Sequence, residues 1–364
     1  DETMADLRFD IAGQTLTNAE ALNLLSSPIR QQRQEAGEAI GTTLKENARI
    51  FTQITNTLAK DKSVEDKWRK YARPISSRNL SNQVEDEVVD ALVEAVRSSY
   101  SELSHRYYSI KANWFGSERL EYYDRNAPLP DSVERNIPWS EAEHIVLEAY
   151  ETFSPKLADL ARPFFENSWI DAPTRAGKSP GAFAHPTVPS AHPYLLLNYQ
   201  GKTRDVMTLA HELGHGVHQR LAASQGHFLS NTPLTLAETA SVFGEMLTFQ
   251  RMLKDADLKT KKALLAGKTE DMLNTVIRQI AMLTFEINVH SERQSGELST
   301  DRICEIWMDT QTESLGPTLN FDEGYKYFWS YIPHFIHSPF YVYAYAFGDC
   351  LVNALYAVYQ DSEA

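Results

Sequence analysis

The stretch TLAHELGHGVHQRL, residues 208–221, places three histidines and one glutamate within eight positions of an otherwise apolar, helix-like run. These polar side chains are costly to bury without partners. His211 and His215 are four residues apart, so a helix presents both on one face, where two imidazoles can bind one Zn²⁺. Glu212 lies about 100° around the helix, in the position of a general base acting on metal-bound water. The pattern H-E-x-x-H thus predicts a catalytic zinc site, and a buried helix whose histidines bond to neighbouring carbonyls is the alternative.

Glu238 is the candidate for a third zinc ligand. Residues 216–237 contain no acid, and Glu238 is the first one after the motif. The segment TPLTLAETASVFGEML, residues 232–247, predicts a second helix with Glu238 in its first turn, from which it can reach the metal across a helix–loop–helix. The alternative is a capping box at 235–238, in which Thr235 is the N-cap and Glu238 reaches back to it.

Three further features surround the predicted ligands. Glu245 lies one heptad after Glu238 on nearly the same helix face, so we expect it to accept a hydrogen bond from a ligand histidine; a solvated carboxylate is the alternative. His218 is too far along the helix to bind the metal and is expected to face the substrate or to support the ligands. Gly214 and Gly216 each destabilise a helix by roughly 1 kcal/mol relative to alanine, which implies the close approach of a strand or a substrate.

The composition is that of a globular protein with an acidic surface. The 364 residues carry 49 acids against 35 bases, a net charge of −14, which disfavours binding to nucleic acid or to an anionic membrane. No apolar run approaches the ~20 residues of a transmembrane helix, and the N-terminal DETMADLRFD lacks the basic and apolar regions of a signal peptide. Cys304 and Cys350 lie in helical patterns, so no disulfide framework is expected and a cytoplasmic location is predicted.

The apolar periodicity predicts long helices over residues 1–125, which we expect to form a wall of a cleft. One helix is predicted to open at Ser27, a cap before a proline, and another to run from Ser81 to Gly116. A further helix is predicted to open at the capping box SEAE, residues 140–143, and to continue to residue 167.

Residues 126–364 are expected to hold the zinc-binding core, within one catalytic region that spans 1–364. Between 168 and 203, a Gly- and Pro-rich loop precedes the apolar run YLLLNY, which predicts a strand at the edge of a small sheet. Helical patterning resumes near Asp205 and continues to the end. The fold class is therefore predicted to be mainly α, with a small β-sheet near the motif helix.

These motifs together resemble the thimet oligopeptidase and oligoendopeptidase F family of zinc peptidases. TLAHELGHGVHQ followed by LAETASVFGEML resembles the family's ligand motifs, whereas a metzincin would need glycine at 218 and histidine at 221, and a thermolysin-like enzyme a glutamate near 234. GKSPGAFAHPTVPSAHPYLLLNYQGKTRDVMTLAHELGH, residues 177–215, is similar to the family's loop, substrate-binding edge strand and motif helix. WSYIPHFIHSPFYVYAYAFGDCL, residues 329–351, resembles its C-terminal His/Tyr segment, closest to the oligoendopeptidase F branch.

The resemblance implies a zincin-like helical metallopeptidase. It implies that one Zn²⁺ per chain is bound by His211, His215 and Glu238, and that Glu212 acts as general base and general acid. The chain is too short to include the further N-terminal lobe that is usual in the family, which implies either a fragment or a more open cleft.

The resemblance also implies that a histidine and two tyrosines of the C-terminal segment bind substrate and stabilise the oxyanion. The IPHF context indicates His334, with Tyr341 and Tyr345 as the tyrosines, although the added residue in HSP leaves His337 as an alternative to His334. Helical spacing would place Tyr341 and Tyr345 on one helix face as two phenolic donors. An aromatic core stripe is the alternative interpretation of the same residues.

The expected function is therefore that of a zinc-dependent endopeptidase hydrolysing internal bonds of short oligopeptides, with Glu212-assisted attack of zinc-bound water. We expect an extended peptide to pair with the YLLLNY strand by β-augmentation. One alternative is a zinc carboxypeptidase or dipeptidyl exopeptidase on the same scaffold, and another is a non-catalytic peptide-binding protein. Short peptides are the expected partners, without nucleic acid or membrane.

Overall fold

The computed structural model describes residues 2–130, 135–175, 178 and 181–363. Helices dominate, which confirms the mainly α prediction. In chain order the α-helices are α1 (Glu2–Ala5), α2 (Asn18–Leu24), α3 (Arg30–Arg69), α4 (Ser76–Ser81), α5 (Asp86–Ser98), α6 (Arg106–Trp114), α7 (Trp139–Phe153), α8 (Pro155–Glu166), α9 (Thr203–Ala222), α10 (Leu234–Asp255), α11 (Leu258–Met272), α12 (Arg278–Arg293), α13 (Thr300–Leu315), α14 (His334–His337) and α15 (Tyr343–Glu363). Two π-helical turns, Ser101–His105 and Leu273–Ile277, precede α6 and α12.

Within the described residues the strands are short, and they form three separate sheets. They are β1 (Phe9–Ile11), β2 (Gln14–Leu16), β3 (Leu120–Glu121), β4 (Ile170–Pro173), β5 (Phe183–His185), β6 (Tyr194–Tyr199) and β7 (Leu319–Asn320). β1 and β2 form an antiparallel hairpin, and β3 pairs with β7 in parallel. In the third sheet β6 is the middle strand, parallel to β4 and antiparallel to β5.

The chain divides into two compact units, each made of two separate segments. Unit 1 comprises Asp1–Asp131 with Glu270–Ala346, and unit 2 comprises Ser132–Thr269 with Phe347–Ala364. The predicted functional division at residues 125 and 126 stays a prediction. In the described parts of both units, no helix combines the length and apolar character needed to cross a membrane.

Unit 1 is built around the 40-residue helix α3, which packs against α12 and α13. Ile40 and Leu44, one turn apart on α3, are fully buried in the apolar core. Phe285 of α12 packs edge-to-face on Trp307 of α13, with the ring centroids 5.5 Å apart. The spacing of Ile40 and Leu44 on α3 directs both side chains into this core, as expected for an amphipathic helix.

Unit 2 contains the motif helix α9, which packs against β5 and β6. Leu195 and Leu197 point to one face of β6 and are buried in one core with Leu209 and Leu213, one turn apart on α9. The predicted strand YLLLNY is therefore β6, with the expected bounds. The prediction that it lies at the sheet edge is wrong, because β4 and β5 pair with its two sides.

The outer strand β5 lies within the segment predicted to be a loop. Its residues Phe183–His185 pair with Tyr194–Leu196 of β6 in an antiparallel register. Part of the predicted Gly- and Pro-rich loop, residues 176, 177, 179 and 180, lies outside the described residues. A three-residue strand carries too little alternation to be distinguished from a loop in the sequence.

The helix starts differ from the predicted ones in two places. α3 begins at Arg30 with Ile29 as its N-cap, and the Ser27 hydroxyl accepts the Ile29 N–H at 3.1 Å before the helix starts. α7 begins at Trp139 after Pro138, without a side-chain cap, so the SEAE capping box does not form. Proline fixes the backbone angle at this entry instead.

Two predicted helices are each divided. The helix from residue 140 to 167 is broken at Ser154, whose extended backbone (φ −158°) separates α7 from α8. The pattern from 81 to 116 forms α5, the π-turn and α6. Near the end of α5, the hydroxyls of Ser98 and Ser99 both donate to the Ala95 carbonyl, competing with regular helical bonding.

Candidate metal centre and active site

The helices α9 and α10 approach each other closely at two glycines. A Cβ on Gly214 of α9 would lie 2.4 Å from the carbonyl oxygen of Ala240 in α10. A Cβ on Gly244 of α10 would lie 2.2 Å from the hydroxyl of Tyr150 and 2.8 Å from the carbonyl oxygen of Ala210 in α9. No larger side chain fits at either position, so the two glycines set the distance between the helices.

The close neighbour of Gly214 is thus a helix and not the strand or substrate that we expected. At Gly216 a strand does approach, as expected. An added Cβ there would lie 3.3 Å from Leu195 of β6 and 2.7 Å from the ring of Phe164 in α8. The two glycines therefore allow α9 to contact α10 at one point and the α8 and β6 side chains at another.

Three predicted ligands converge within unit 2. The Nε2 atoms of His211 and His215 lie 3.3 and 3.5 Å from Oε2 of Glu238. One ligand atom from each residue lies within 4.8 Å of the other two. Donors at about 2.0–2.1 Å from a tetrahedral zinc ion are separated by roughly 3.3 Å, so this arrangement fits one such ion.

The capping-box alternative for Glu238 is wrong. Helix α10 begins at Leu234 with Pro233 as its N-cap, so Thr235 lies inside the first turn and is buried. The Glu238 carboxylate faces the two histidines and accepts a hydrogen bond from the Ser241 hydroxyl at 3.0 Å.

His211 lies between two carboxylates. Its Nδ1 is 2.5 Å from Oε1 of Glu245, on the opposite side of the ring from Glu238. Burial lowers the pKa of His211, but the hydrogen bonds with Glu238 and Glu245 outweigh it and raise this pKa to about 10. Burial raises the pKa of the Glu238 carboxyl, but the hydrogen bonds with His211 and His215 outweigh burial and hold this pKa well below its usual range. Such excess negative charge around an imidazole is what a bound cation compensates, so the residues fit zinc.

Glu245 has a second partner that the sequence did not indicate. The ammonium of Lys268, in α11, lies 3.5 Å from Oε2 of Glu245 and is largely buried. The hydroxyl of Tyr150 donates to the Ala210 carbonyl at 2.7 Å, in the turn before His211. Neither residue belongs to a recognisable motif, since each reaches the site from another helix.

Glu212 is 7% exposed and lies among these charges. Burial raises the pKa of its carboxyl, while the neighbouring His211 and His215 act in the opposite direction. A carboxylate whose pKa is raised by burial is a stronger proton acceptor than an exposed one, which suits a general base.

A cavity of about 250 Å³ opens beside His215 in unit 2. Its wall includes His218 and Gln219 of α9, together with parts of the segments 186–193 and 223–232. The His218 Nε2 lies 3.3 Å from the hydroxyl of Thr232, and burial lowers the pKa of this imidazole. His218 thus faces a cavity next to a predicted ligand.

In unit 1 the structure brings His334, Tyr341 and Tyr345 together. The His334 ring stacks on Tyr341 at 5.6 Å and meets Tyr345 edge-on at 5.9 Å, with the Tyr345 hydroxyl 3.4 Å from Nε2 of His334. Helix α15 begins at Tyr343, so Tyr341 lies before the helix, and the prediction that Tyr341 and Tyr345 share a helix face is wrong. His337 is exposed at the end of α14. All three clustered side chains are only partly buried, unlike an aromatic core stripe.

A buried polar clamp holds the backbone between His334 and Tyr341. Phe340 has a left-handed backbone (φ 60°), and its N–H donates to Oε1 of Glu286 at 2.8 Å. Arg78 donates to the carbonyl oxygen of Pro339 at 3.1 Å. Glu286 and Arg78 are far from this segment in the sequence, so no motif indicates either contact. The left-handed backbone of Phe340 is the feature that draws attention to the segment, and it is visible only in the structure.

Comparisons with known proteins show which family this chain is similar to. Residues 23–360 match peptidase family M3. Oligopeptidase PepF of Bacillus subtilis (strain 168) is 27% identical over 344 residues, which cover 93% of this chain and 51% of that protein. An oligoendopeptidase F homolog of Borreliella burgdorferi is 28% identical over 97% of this chain and 60% of that protein.

The fold is also similar to a solved structure. The crystal structure of oligoendopeptidase-F from Enterococcus faecium superposes with a TM-score of 0.75 at 22% identity, covering 99% of this chain and 59% of that one. The chain thus spans between half and three fifths of the length of these relatives.

Proposed function

Because the chain belongs to peptidase family M3, we propose that it is a zinc-dependent endopeptidase acting on short peptides. The observation that carries the proposal is the convergence of His211, His215 and Glu238 within 4.8 Å, beside the buried Glu212. Zinc held by these three residues would supply a Lewis acid that polarises a carbonyl and lowers the pKa of water.

Glu212 is the residue proposed to move protons. Its carboxylate takes a proton from the attacking water and passes it to the nitrogen of the leaving amine. Glu245 holds Nδ1 of His211, so that Nε2 is directed towards Glu238. His334, Tyr341 and Tyr345 are proposed to bind the substrate and to donate to the oxyanion.

Because β6 is the middle strand of its sheet, we propose that an extended peptide pairs with β5 instead. Outer strands offer unpaired backbone groups, and β5 is an outer strand of the described sheet. The carbonyl oxygen of Ala184 accepts a 3.3 Å hydrogen bond from the Gln219 amide of α9, so this edge faces the motif helix. An extended peptide pairing there would run alongside α9, with the cavity beside His218 available for one of its side chains.

Replacement of the base tests the mechanism. Glu212→Gln is expected to lower kcat by at least about 100-fold, because general base catalysis typically contributes 10²–10⁴-fold. Zinc content should stay at one per chain, since the three ligands are retained. The control is Glu166→Gln at the exposed end of α8, which should leave turnover unchanged. Full activity in Glu212→Gln would contradict the assignment.

Two measurements distinguish the remaining alternatives. A peptide acetylated at its N-terminus and amidated at its C-terminus is cleaved by an endopeptidase, whereas an exopeptidase needs a free end. Absence of bound zinc and of any cleavage would favour a non-catalytic peptide-binding protein. The cytoplasmic location and the lack of a nucleic-acid partner stay predictions.

A further inference from the structure

The cavity beside His215 is bounded mainly by one helix and two loops, all within unit 2. Helix α9 contributes His215, His218 and Gln219 to its lining. Parts of two loops continue the lining: residues 186–193, which we call the proline loop, and residues 223–232, which we call the α9–α10 loop. The cavity thus adjoins a predicted zinc ligand, while most of its lining has no part in the proposed zinc chemistry.

The proline loop is held in one conformation by contacts of its own residues. The Thr187 hydroxyl lies 2.9 Å from the carbonyl oxygen of His192, which links the two ends of the loop. The His192 ring stacks on Trp169, with the ring centroids 3.9 Å apart and an interplanar angle of 6°. Between them, the Ala191 N–H donates to the carbonyl oxygen of Val188 at 2.9 Å. This side of the cavity is therefore preformed, as ligand sites usually are.

The α9–α10 loop is tied to the motif helix and offers free hydrogen-bonding groups. The Ser230 N–H donates to the carbonyl oxygen of Gly226 at 3.0 Å, and the Thr232 hydroxyl lies 3.3 Å from Nε2 of His218. The side chains of Ser230 and Asn231 form no hydrogen bond with any residue that the structure describes. Both can therefore bond to a ligand without breaking a contact within the protein.

The two loops give the cavity two chemically different sides. Five of the six lining residues in the proline loop are apolar, whereas four of the five in the α9–α10 loop are polar. Among the residues that the structure describes, no aspartate, glutamate, lysine or arginine lines the cavity. A lysine or arginine of a substrate would therefore find no opposite charge there, and a glutamate would need a protonated histidine. The lining favours an uncharged side chain with one apolar and one polar part.

The size of the cavity favours a ring. Its volume is about 250 Å³. A cavity of about 150 Å³ is enough to hold a benzene molecule, so an aromatic side chain fits. A small side chain would leave most of the space unfilled and would lose the dispersion contacts with the lining. Among uncharged side chains, tyrosine combines a ring of this size with a hydroxyl that both donates and accepts hydrogen bonds.

We propose that this cavity binds a tyrosine side chain of the peptide substrate, with the ring against the proline loop and the hydroxyl bonded to the α9–α10 loop. This inference rests on the proposed peptidase function. Because His215 lines the cavity, a side chain bound there holds a nearby peptide bond at the metal centre. The position of tyrosine in a peptide then determines which bond is cut.

The first test moves one tyrosine along a peptide. The probes are alanine- and glycine-based peptides, acetylated at the N-terminus and amidated at the C-terminus, with a single tyrosine placed one residue further along in each. Mass spectrometry of the fragments should show that the cleaved bond moves with the tyrosine at a constant separation. Cleavage at bonds unrelated to the tyrosine would overturn the proposal and leave the peptidase function standing.

The second test measures binding without cleavage. Isothermal titration calorimetry on the zinc-loaded Glu212→Gln variant gives the Kd of peptides that differ in one side chain. Tyrosine should bind about 10- to 100-fold more tightly than alanine, and phenylalanine about 2- to 10-fold more weakly than tyrosine for want of the hydroxyl. Equal Kd values for tyrosine and alanine, or glutamine, glutamate or lysine binding as tightly as tyrosine, would overturn the proposal. Tight binding of tyrosine in a chain that cuts no peptide would support the site and contradict only the peptidase function.

The third test fills the cavity from each side. Ala191 of the proline loop and Ala223 of the α9–α10 loop both line it, so Ala191→Phe and Ala223→Phe each place a ring where the substrate ring is proposed to lie. In either variant the Kd for the tyrosine peptide should rise to that of the alanine peptide, with zinc content still one per chain. The matched control is Ala354→Phe, at an exposed position of α15 in the same unit, which should keep the full preference for tyrosine. A preference that survives in both cavity variants would overturn the proposal.

Discussion

Gly214→Ala tests whether the contact between α9 and α10 builds the metal centre. The added Cβ would lie 2.4 Å from the Ala240 carbonyl oxygen and 2.7 Å from Cα of Ser241, where ordinary contact begins at 3.4 Å. Both obstacles are backbone atoms, so the helices must separate by roughly 1 Å. Overpacking of this kind costs about 1–3 kcal/mol, and the better helix propensity of alanine offsets up to about 1 kcal/mol of it.

The same separation should weaken zinc binding. Glu238 and Glu245 lie on α10, whereas His211 lies on α9, so a shift between the helices changes both of their contacts with the histidine. A displacement of roughly 1 Å is half the length of a zinc–ligand bond of about 2.0 Å. We therefore expect the zinc Kd to rise about 10- to 100-fold, the range seen when supporting contacts of a metal site are lost. The measurements are competition with a chromogenic chelator and thermal unfolding of the zinc-free chain.

Gly267→Ala is the matched control for this substitution. Gly267 lies inside α11, and an added Cβ there would meet no atom within 4 Å. This variant should be more stable by about 0.5–1 kcal/mol, with an unchanged zinc Kd. A Gly214→Ala variant that is as stable as Gly267→Ala and keeps its zinc Kd would refute the prediction.

Two further predictions concern residues that the motifs did not indicate. Lys268→Met should raise the zinc Kd about tenfold by releasing Glu245, while Lys268→Arg should restore most of the affinity in the same chelator assay; equal Kd values in all three would contradict the role. Burial raises the pKa of Glu286 to about 8, against the hydrogen bond from Phe340 and the charge of Arg78. Folding then favours the protonated carboxyl, so stability should fall as pH rises from the usual pKa of 4.5 to about 8. Glu286→Gln keeps an acceptor for the Phe340 N–H but has no carboxyl to ionise, so its Tm should not fall over this pH range and should exceed that of the unmodified chain at pH 8. Identical Tm–pH profiles for the two proteins would contradict the prediction.

The sequence by itself determined the features that depend on local periodicity. The spacing of His211 and His215 places them one turn apart on any helix, and the flanking apolar pattern requires that helix. The run of Tyr194–Tyr199 has the length and side chains of a strand, and its bounds were predicted as they are found. Family membership and the mainly helical class follow from these motifs and their order.

Other features were decided by the tertiary structure alone, because they depend on which elements meet. The sequence around Glu238 matched both a capping box and a metal ligand; the structure excludes the capping box and places the carboxylate beside His211 and His215, where α9 and α10 cross closely, and the ligand role stays a prediction. The strand β6 has the same local pattern at an edge or in the middle, so only its pairing with β4 and β5 shows its place. Lys268 and Glu286 carry no signal in the sequence, since their roles arise from contacts between helices that the chain brings together only on folding.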